Sequence, residues 1–391
     1  MYKILFVLTP AFDPTSGGVQ NTTFKLGREF TLRGHEVSYF SYTPKGHIQV
    51  EYGSLYHADE KGGSTNSSNN TKLSELILSL KPQLVINQMP YEAGIQGALT
   101  TAKKSHHFVS LGCLRNSLFS VVNNLETYAQ KSLPKPLWFL SRNKMFQQFS
   151  LVRHKRRHAE NLKKILQNHD YFVLLVPTNI DELRYFLPTF DEQKILSIPN
   201  SIPNLHEDLS QKEKVILHVG RLNFSQKRSD LIVPFWQKLH QLLPDWTFEI
   251  VGYGELESKI VDDLKRLNLP RVKFFGKQKP HDYYKRAGIF MMPSAYEGFP
   301  NTLLEAQSFG CVSFCFDSYP AVGWIVQDKE NAFLFKPFDL DAMVREIARV
   351  AQSEELLQKY AQESLKNAKR FVVDTVVDTW EETFEKILKT Q

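Results

Sequence analysis

The chain has 391 residues, of which 42% are hydrophobic and 23% charged, and its net charge is +6. That length fits two ordinary domains better than one, the composition is that of a soluble globular protein, and no apolar run approaches the roughly 18–20 residues that a bilayer-spanning helix needs. Three cysteines, Cys113, Cys311 and Cys315, are too few for a disulfide framework and lack metal-ligand spacing, so a reducing, cytoplasmic setting is expected. The charge is uneven. Residues 1–200 carry a balance of +8 and residues 201–391 one of −2, and within 101–164 thirteen basic side chains stand against two acidic ones. An anionic surface or substrate explains this; so does a solvated helix face.

Short β-rich runs alternate with helical periodicity, which predicts α/β layers with parallel strands. Residues 3–8 open the chain as a buried strand and not a signal peptide, since the apolar run is short and no small-residue cleavage site follows. Further strands are predicted at 36–42, 83–88, 107–112, 171–177 and 194–198, and helices at 20–33, 72–80, 91–104 and somewhere in the basic stretch 137–168. Residues 61–70, rich in Gly, Ser and Asn, read as a flexible surface loop. A break follows at 201–213, where Pro199-Asn200-Ser201-Ile202-Pro203 leads into a polar linker. A second series then runs: strands at 214–219, 247–251, 272–275, 288–292 and 311–316, and helices at 228–243, 254–267, 280–287, 301–310, 338–351 and 354–369. The last segment, 371–388, has apolar residues at helical spacing and must pack on something.

In open parallel sheets, ligands bind outside the carboxyl ends of the strands, so the loops there are where chemistry is expected. The loop after the first strand runs from Thr9 through Pro14-Thr15-Ser16 to Gly17-Gly18. The glycine pair permits close approach of a ligand, and the helix that begins there favours an anion. After strand 214–219, Arg221 and Lys227 flank a strand-to-helix turn. A forked guanidinium and a point charge suit a diphosphate, although either cation alone reads as ordinary surface. After strand 288–292 comes Pro293-Ser294-Ala295-Tyr296-Glu297-Gly298-Phe299-Pro300-Asn301-Thr302-Leu303-Leu304-Glu305. Glu297 occupies the turn, the amides of residues 301–304 open a helix toward phosphate oxygens, and Glu305 lies one turn further in. The bland readings are a capping carboxylate for Glu297 and a solvated one for Glu305.

The order of the Gly-Gly-Val loop, Gly220-Arg221-Leu222 with Lys227 six residues after the arginine, Val251-Gly252-Tyr253-Gly254, Phe275-Gly276, and Pro293-Ser294 leading to Glu297 and Glu305 resembles the family 4 retaining glycosyltransferases. The resemblance covers nearly the whole chain and is strongest over 214–316. It implies a GT-B fold, with two Rossmann-like doubly wound parallel-sheet domains facing across a cleft. Residues 1–200 would bind the acceptor, 201–213 link, 214–370 bind the nucleotide-sugar, and 371–391 cross back as a terminal helix. By position, Arg221 and Lys227 would hold the donor diphosphate, helped by Gly17 and Gly18, and Glu297 would lie beside the transferred sugar. Gly252, Gly254, Gly276 and Lys277 would line the base pocket. Gly298, Phe299, Asn301, Thr302, Leu303 and Glu305 would complete the donor site, with Glu305 on the ribose.

Three departures from the family pattern stand out. Arg115-Asn116, on the acceptor side, replaces a His-containing pair, Asp317-Ser318 stands where a glycine pair is usual, and Asn331-Ala332 replaces Asn-Gly. The donor is expected to be a UDP- or GDP-sugar, the acceptor a glycan or a lipid-linked saccharide, and the setting cell-surface polysaccharide synthesis. No Asp-x-Asp cluster follows a strand, so a metal-independent enzyme without cofactor is expected. The basic, aromatic stretch 137–168 suggests peripheral contact with an anionic membrane; no nucleic-acid partner is expected. Alternative readings are a nucleotide-sugar-binding protein of this fold without activity, and an epimerase.

Overall fold

The computed structural model describes residues 1–13, 17–43, 50–131 and 133–389. Residues 14–16 of the first loop and the last two residues of the terminal segment lie outside the described residues. The helices are α1 (Gly18–Leu32), α2 (Ser67–Leu80), α3 (Ala93–Ala102), α4 (Leu125–Lys131), α5 (Lys144–Asn168), α6 (Asn179–Phe186), α7 (Ile232–Leu239), α8 (Glu257–Arg266), α9 (His281–Arg286), α10 (Asn301–Ser308), α11 (Pro320–Ile325), α12 (Leu340–Ala351), α13 (Glu354–Ala368) and α14 (Val373–Lys389). The chain divides into two compact units.

The first unit comprises Met1–Leu118, Ser132–Ser201 and Val373–Gln391. Its strands are β1 (Lys3–Leu8), β2 (Glu36–Ser41), β3 (Ser54–His57), β4 (Leu84–Asn87), β5 (Val109–Cys113), β6 (Tyr171–Leu174) and β7 (Ile195–Ser197), in the order β3-β2-β1-β4-β5-β6-β7. Every pair is parallel. The central strands are apolar on both faces, as a sheet covered on both sides requires. The chain steps outward from β1 to β3, then returns to the other side of β1 for β4, so the switch point lies between β1 and β4. α14 belongs to this unit because Val376, Val377, Trp380, Phe384 and Ile387 join the core of Phe6, Leu26 and Phe30. Its polar edge meets Arg33, whose Nη1 lies 2.5 Å from Asp378 and 2.8 Å from Glu381.

The second unit comprises Phe119–Lys131 and Ile202–Val372. Its strands are β8 (Glu213–Val219), β9 (Thr247–Val251), β10 (Val272–Phe274), β11 (Ala287–Met292), β12 (Val312–Phe316) and β13 (Phe333–Phe335), in the order β10-β9-β8-β11-β12-β13. All pairs are again parallel, and the switch point lies between β8 and β11. The linker-like stretch is bonded to this unit: His206 donates its amide to the Ser308 carbonyl at 2.8 Å, and Lys212 Nζ donates to the carbonyls of Tyr284 and Ala287 at 2.9 and 2.6 Å.

Two of the four edge strands, β3 and β13, were not predicted, whereas the similarly short edges β7 and β10 were. The reading of 61–70 as a flexible loop is corrected. α2 already starts at Ser67, capped by Asn66, whose side chain accepts from the Ser68 amide at 2.9 Å. Asn69 Nδ2 donates to the carbonyls of Glu60 and Gly63, and Asn70 Nδ2 to that of Ser64. The polar residues are spent on backbone groups rather than on water. The long basic helix expected within 137–168 is α5, Lys144–Asn168. A 3-10 helix, Lys135–Arg142, ends at Asn143, which caps α5 by accepting from the amides of Met145 and Phe146. Among the described residues no helix is long and apolar enough to cross a membrane.

At the end of α5, His169 is buried beside β4. Its Nδ1 lies 3.0 Å from the Ile165 carbonyl, which can only accept, so Nδ1 carries the proton and Nε2 accepts from Asn87 Nδ2 at 3.1 Å. Burial pushes its pKa down to about 4. An unfolded imidazole titrates near about 6.5, so between these values only the unfolded chain binds the proton. The stabilisation from neutral His169 is therefore complete above the unfolded pKa and is lost as pH falls toward the folded one. We expect His169→Gln to reduce the dependence of stability on pH in that window by roughly one proton. Denaturant titrations between pH 4 and pH 7 check this, and an unchanged slope would place the proton uptake on another group.

Candidate active site

The loop after β8 is shaped by one side chain. Asn223 Oδ1 accepts from the amides of Gln226 and Lys227 at 3.1 and 2.9 Å, while the Asn223 carbonyl accepts from the Ser229 amide at 3.0 Å. The Ala295 amide donates to the Gln226 carbonyl at 2.7 Å and ties this loop to the one after β11. Lys227 Nζ is thereby set 2.6 Å from Glu297 Oε1, and Gln226 Nε2 donates to Glu297 Oε2 at 3.0 Å. The two charged side chains are only 14% and 8% exposed. In a pair this buried each charge offsets the other's desolvation, and the Gln226 amide satisfies the second oxygen. Arg221, on the same loop, is exposed and its side chain makes no hydrogen bond or ion pair among the described residues.

Polar groups without partners gather round this pair. His218, on β8, is buried, and its Nδ1 donates to the Met291 carbonyl at 3.2 Å. Burial pushes its pKa down to about 4, so the ring is neutral. A Cβ at Gly220 would lie 3.7 Å from both His218 Nε2 and Lys227 Cε, so glycine leaves the space between them open. His218 Nε2, Ser294 Oγ and Tyr319 Oη are buried and lack hydrogen-bond partners among the described residues. The Tyr319 hydroxyl is held well above its ordinary pKa by burial and then by the Glu297 charge. Buried polar atoms are rarely left so. His218 and Tyr319 beside an ion pair at a switch point make a site that a polar ligand can complete.

The other glycines divide by cause. A Cβ on Gly252 would stand 2.0 Å from the Gly220 carbonyl oxygen, and one on Gly254 2.4 Å from that of Leu222. These two are demanded by backbone packing, which locks the loop after β8 against the one after β9. Gly276 has φ +64 and open space around it, so conformation demands glycine there. Lys277 lies with its ammonium 4.9 Å above the exposed ring of Tyr253, which presents a flat aromatic surface at this end of the sheet.

Around α10 the sequence reading needs correction. The amide of Asn301 is taken by the Phe299 carbonyl and those of Leu303 and Leu304 by Pro300, so of the four amides expected to face phosphate only that of Thr302 has no backbone acceptor among the described residues. Phe299 packs edge-on against Phe371, Leu303 is fully buried, and Thr302 Oγ1 is directed at Met292 Sδ. Phe299 and Leu303 therefore turn apolar side chains into the core and not toward a ligand. Glu305 is half-buried, with the Tyr284 hydroxyl 3.5 Å from its Oε2.

In the first unit, Gly17 precedes α1 and Gly18 is its first residue. Arg115 follows β5 and is held by Gln88 and Asn200, while Asn116 Oδ1 accepts from the Ser117 amide at 3.0 Å. Sequence reasoning missed Gln226, His218, Tyr319 and Gln88. Each lies at or just past a strand's carboxyl end, the one signal that could have raised them.

Residues 204–367 match the family described as Glycosyl transferases group 1. An uncharacterized glycosyltransferase of Haemophilus influenzae is 30% identical over 195 residues, which are 49% of this chain and 55% of the relative. The amylovoran biosynthesis glycosyltransferase AmsD of Erwinia amylovora is 24% identical over 206 residues, 50% of this chain and 57% of the relative. The chain thus spans about half the length of the curated relatives it matches. Among solved structures, S. aureus TarM, in a complex with fondaparinux, alpha-GlcNAc-glycerol and UDP, has a TM-score of 0.72 at 13% identity, covering 98% of this chain and 100% of its own. That likeness is one of fold, and the shared fold is the GT-B class with two Rossmann-like parallel sheets.

The glycines give a stability test. Gly252→Ala should cost about 1–3 kcal/mol or more, because the new methyl meets backbone that cannot yield. A Cβ on Gly17 meets only the tip of the Gln20 side chain, and its φ of 174 is open to any residue. Gly17→Ala should therefore stay within about 0.5 kcal/mol of the parent in urea unfolding. Equal losses in the two variants would contradict this division.

Proposed function

We propose that the chain is a retaining family 4 glycosyltransferase that moves a sugar from a UDP- or GDP-sugar to a saccharide or lipid-linked saccharide, in cell-surface polysaccharide synthesis and without a metal ion. The observation that carries this reading is the Lys227–Glu297 pair, braced by Gln226 at the β8/β11 switch point inside the segment that matches the glycosyltransferase family. The UDP bound in the S. aureus TarM complex supports a nucleotide donor, and the amylovoran relative supports a polysaccharide product.

Breaking the bond between the anomeric carbon and the phosphate oxygen leaves negative charge on the diphosphate. Lys227 and Arg221 supply positive charge for it, and preorganised charge of this kind is the strongest lever on such a barrier. Glu297, already bound by a lysine and an amide, serves better to aim Lys227 beside the sugar than as a nucleophile. The acceptor hydroxyl then attacks on the face that the phosphate leaves, and its proton passes to the departing phosphate oxygen. No group of three or more His, Cys, Asp or Glu side chains gathers as metal ligands among the described residues, and the cations supply what a metal would.

Arg221→Ala and Lys227→Ala should each lower turnover by about 10²–10³, the loss of one preorganised charge donor, with the fold intact. Transfer from labelled UDP- and GDP-sugars should persist in excess chelator. Near-normal turnover in the Lys227 variant removes that residue from the reaction, and loss of activity with chelator ends the metal-free reading.

The same reading includes peripheral contact with an anionic membrane at the cytoplasmic face. Phe139, Met145 and Phe149 are 68%, 83% and 65% exposed, and Trp138 and Val152 are exposed as well. Met145, Phe149, Val152 and Arg156 fall along one exposed stripe of α5, beside Arg142, Lys144, Arg153 and Arg157. Apolar side chains in water next to cations fit a bilayer surface, where each Lys or Arg contributes about 1 kcal/mol. The chain should co-sediment with liposomes containing anionic lipid and be released by salt. Binding should fall when Phe149 and Met145 become Ser. A chain that stays in the supernatant at low salt has no such surface.

A further inference from the structure

Arg115 is a cation partly withdrawn from water without a counter-charge. It stands two residues beyond β5, and its Nε donates to Gln88 Oε1 at 2.5 Å and its Nη1 to Asn200 Oδ1 at 2.8 Å. Both acceptors are neutral amides, and among the described residues no carboxylate forms an ion pair with it. Among the described residues its Nη2 is buried without a hydrogen-bond partner, as are Gln88 Nε2 and Ser201 Oγ, and the one further group beside the guanidinium is the Cys113 thiol, which burial keeps neutral. The Gln88 and Ser201 side chains are themselves almost wholly buried. In a planar guanidinium, Nη2 lies between Nε and Nη1, so the free corner is held between the two tethers. Burial lowers the Arg115 pKa, yet a guanidinium keeps its proton inside proteins. The charge is therefore real and uncompensated, which is costly unless something else supplies the partner.

Gln88 directly follows β4, Arg115 follows β5 and Asn200 follows β7. The Gln88 amide also donates to the Val7 carbonyl on β1 at 2.9 Å. The free donors thus sit at the carboxyl ends of the strands beside the first sheet's switch point, where such sheets bind ligands. A forked cation with spare N–H groups and a hydroxyl matches an oxyanion and mismatches a neutral or cationic group. The positive balance of residues 1–200 would draw an anion toward it.

We infer that Arg115, Gln88 and Ser201 form an oxyanion site in the first unit, and that it holds an acidic group, carboxylate or phosphate, on the acceptor saccharide. The assignment to the acceptor rests on the transferase reading; the anion site does not.

Calorimetry and thermal shift on the full chain test this with methyl glucuronide, glycerol phosphate, neutral methyl glucoside and, separately, UDP. One of the two anions should bind and raise the melting temperature, and methyl glucoside should not. Arg115→Gln should weaken the anion about ten- to hundred-fold, the range of a charge-assisted hydrogen bond, while the UDP response remains. Gln88→Glu, which keeps Arg115 and gives it an internal carboxylate, should abolish anion binding and raise the melting temperature of the free protein. This second variant decides the matter should the first fold poorly. A response to the glucuronide alone assigns an acidic sugar, and a response to glycerol phosphate alone assigns a phosphorylated acceptor. No response to either anion, or one that survives both variants, overturns the site. An anion response without any UDP response keeps the site and removes the transferase reading.

Discussion

A parallel strand cannot hand the chain straight to its neighbour. The connection must cross the sheet, usually through a helix, and re-enter from the same end. Both sheets here are wholly parallel, and in each the chain runs outward from its first strand and then returns to that strand's other side. The crossovers cover both faces and make them core. Only the carboxyl edge at the reversal is left open, because the helices leaving the two central strands depart in opposite directions. Arg221, Lys227, Glu297 and His218 in the second unit, and Gly17, Gln88 and Arg115 in the first, all lie at or next to such an edge.

Within the second unit, position is refined by backbone contact more than by side chains. The Gly220 carbonyl reaches so close to Gly252 that no Cβ fits, and the Leu222 carbonyl does the same at Gly254. The Leu222 amide donates to the Tyr253 carbonyl and the Gly252 amide to the Gly276 carbonyl, and these hydrogen bonds continue the chain of contacts across the ends of β8, β9 and β10. The loop that carries Lys227 is therefore fixed from beneath before any ligand arrives. Preorganisation of this kind lets a single ammonium act on a developing charge without first paying to reorganise.

The two units treat buried charge in opposite ways. Lys227 meets a carboxylate inside its own unit, and a neighbouring amide completes that carboxylate's bonding. Among the described residues Arg115 meets two amide oxygens and a neutral thiol, Cys113, but no carboxylate. Amides orient a guanidinium but do not neutralise it, so its third nitrogen remains available. Lys227 is aimed by an anion of its own unit, whereas Arg115 is oriented by neutral groups alone.

The alternation of strand and helix was legible in the sequence because the central strands are apolar runs bounded by turn residues and the helices repeat every 3.6 residues. The stripe of Val376, Val377, Trp380, Phe384 and Ile387 was legible for the same reason. Arg221, Lys227 and Glu297 could be picked out because they fall in loops after strands and because the order and spacing of the motifs resemble a known family, although each alone reads as ordinary surface or a cap. Periodicity said nothing of the partners. Lys227 and Glu297 pair across three crossovers, a distance in sequence that no local pattern encodes. Ser and Asn at 61–70 looked like loop residues because composition cannot tell an amide bound to water from one bound to a carbonyl. Phe299 and Leu303 lie inside a recognisable motif, yet only packing turned their side chains into the core. The sequence by itself determined most of the elements, their order and the charges at their ends, since these follow from local preference and apolar period. Tertiary structure alone decided which charges are matched, because that depends on which strand ends become neighbours.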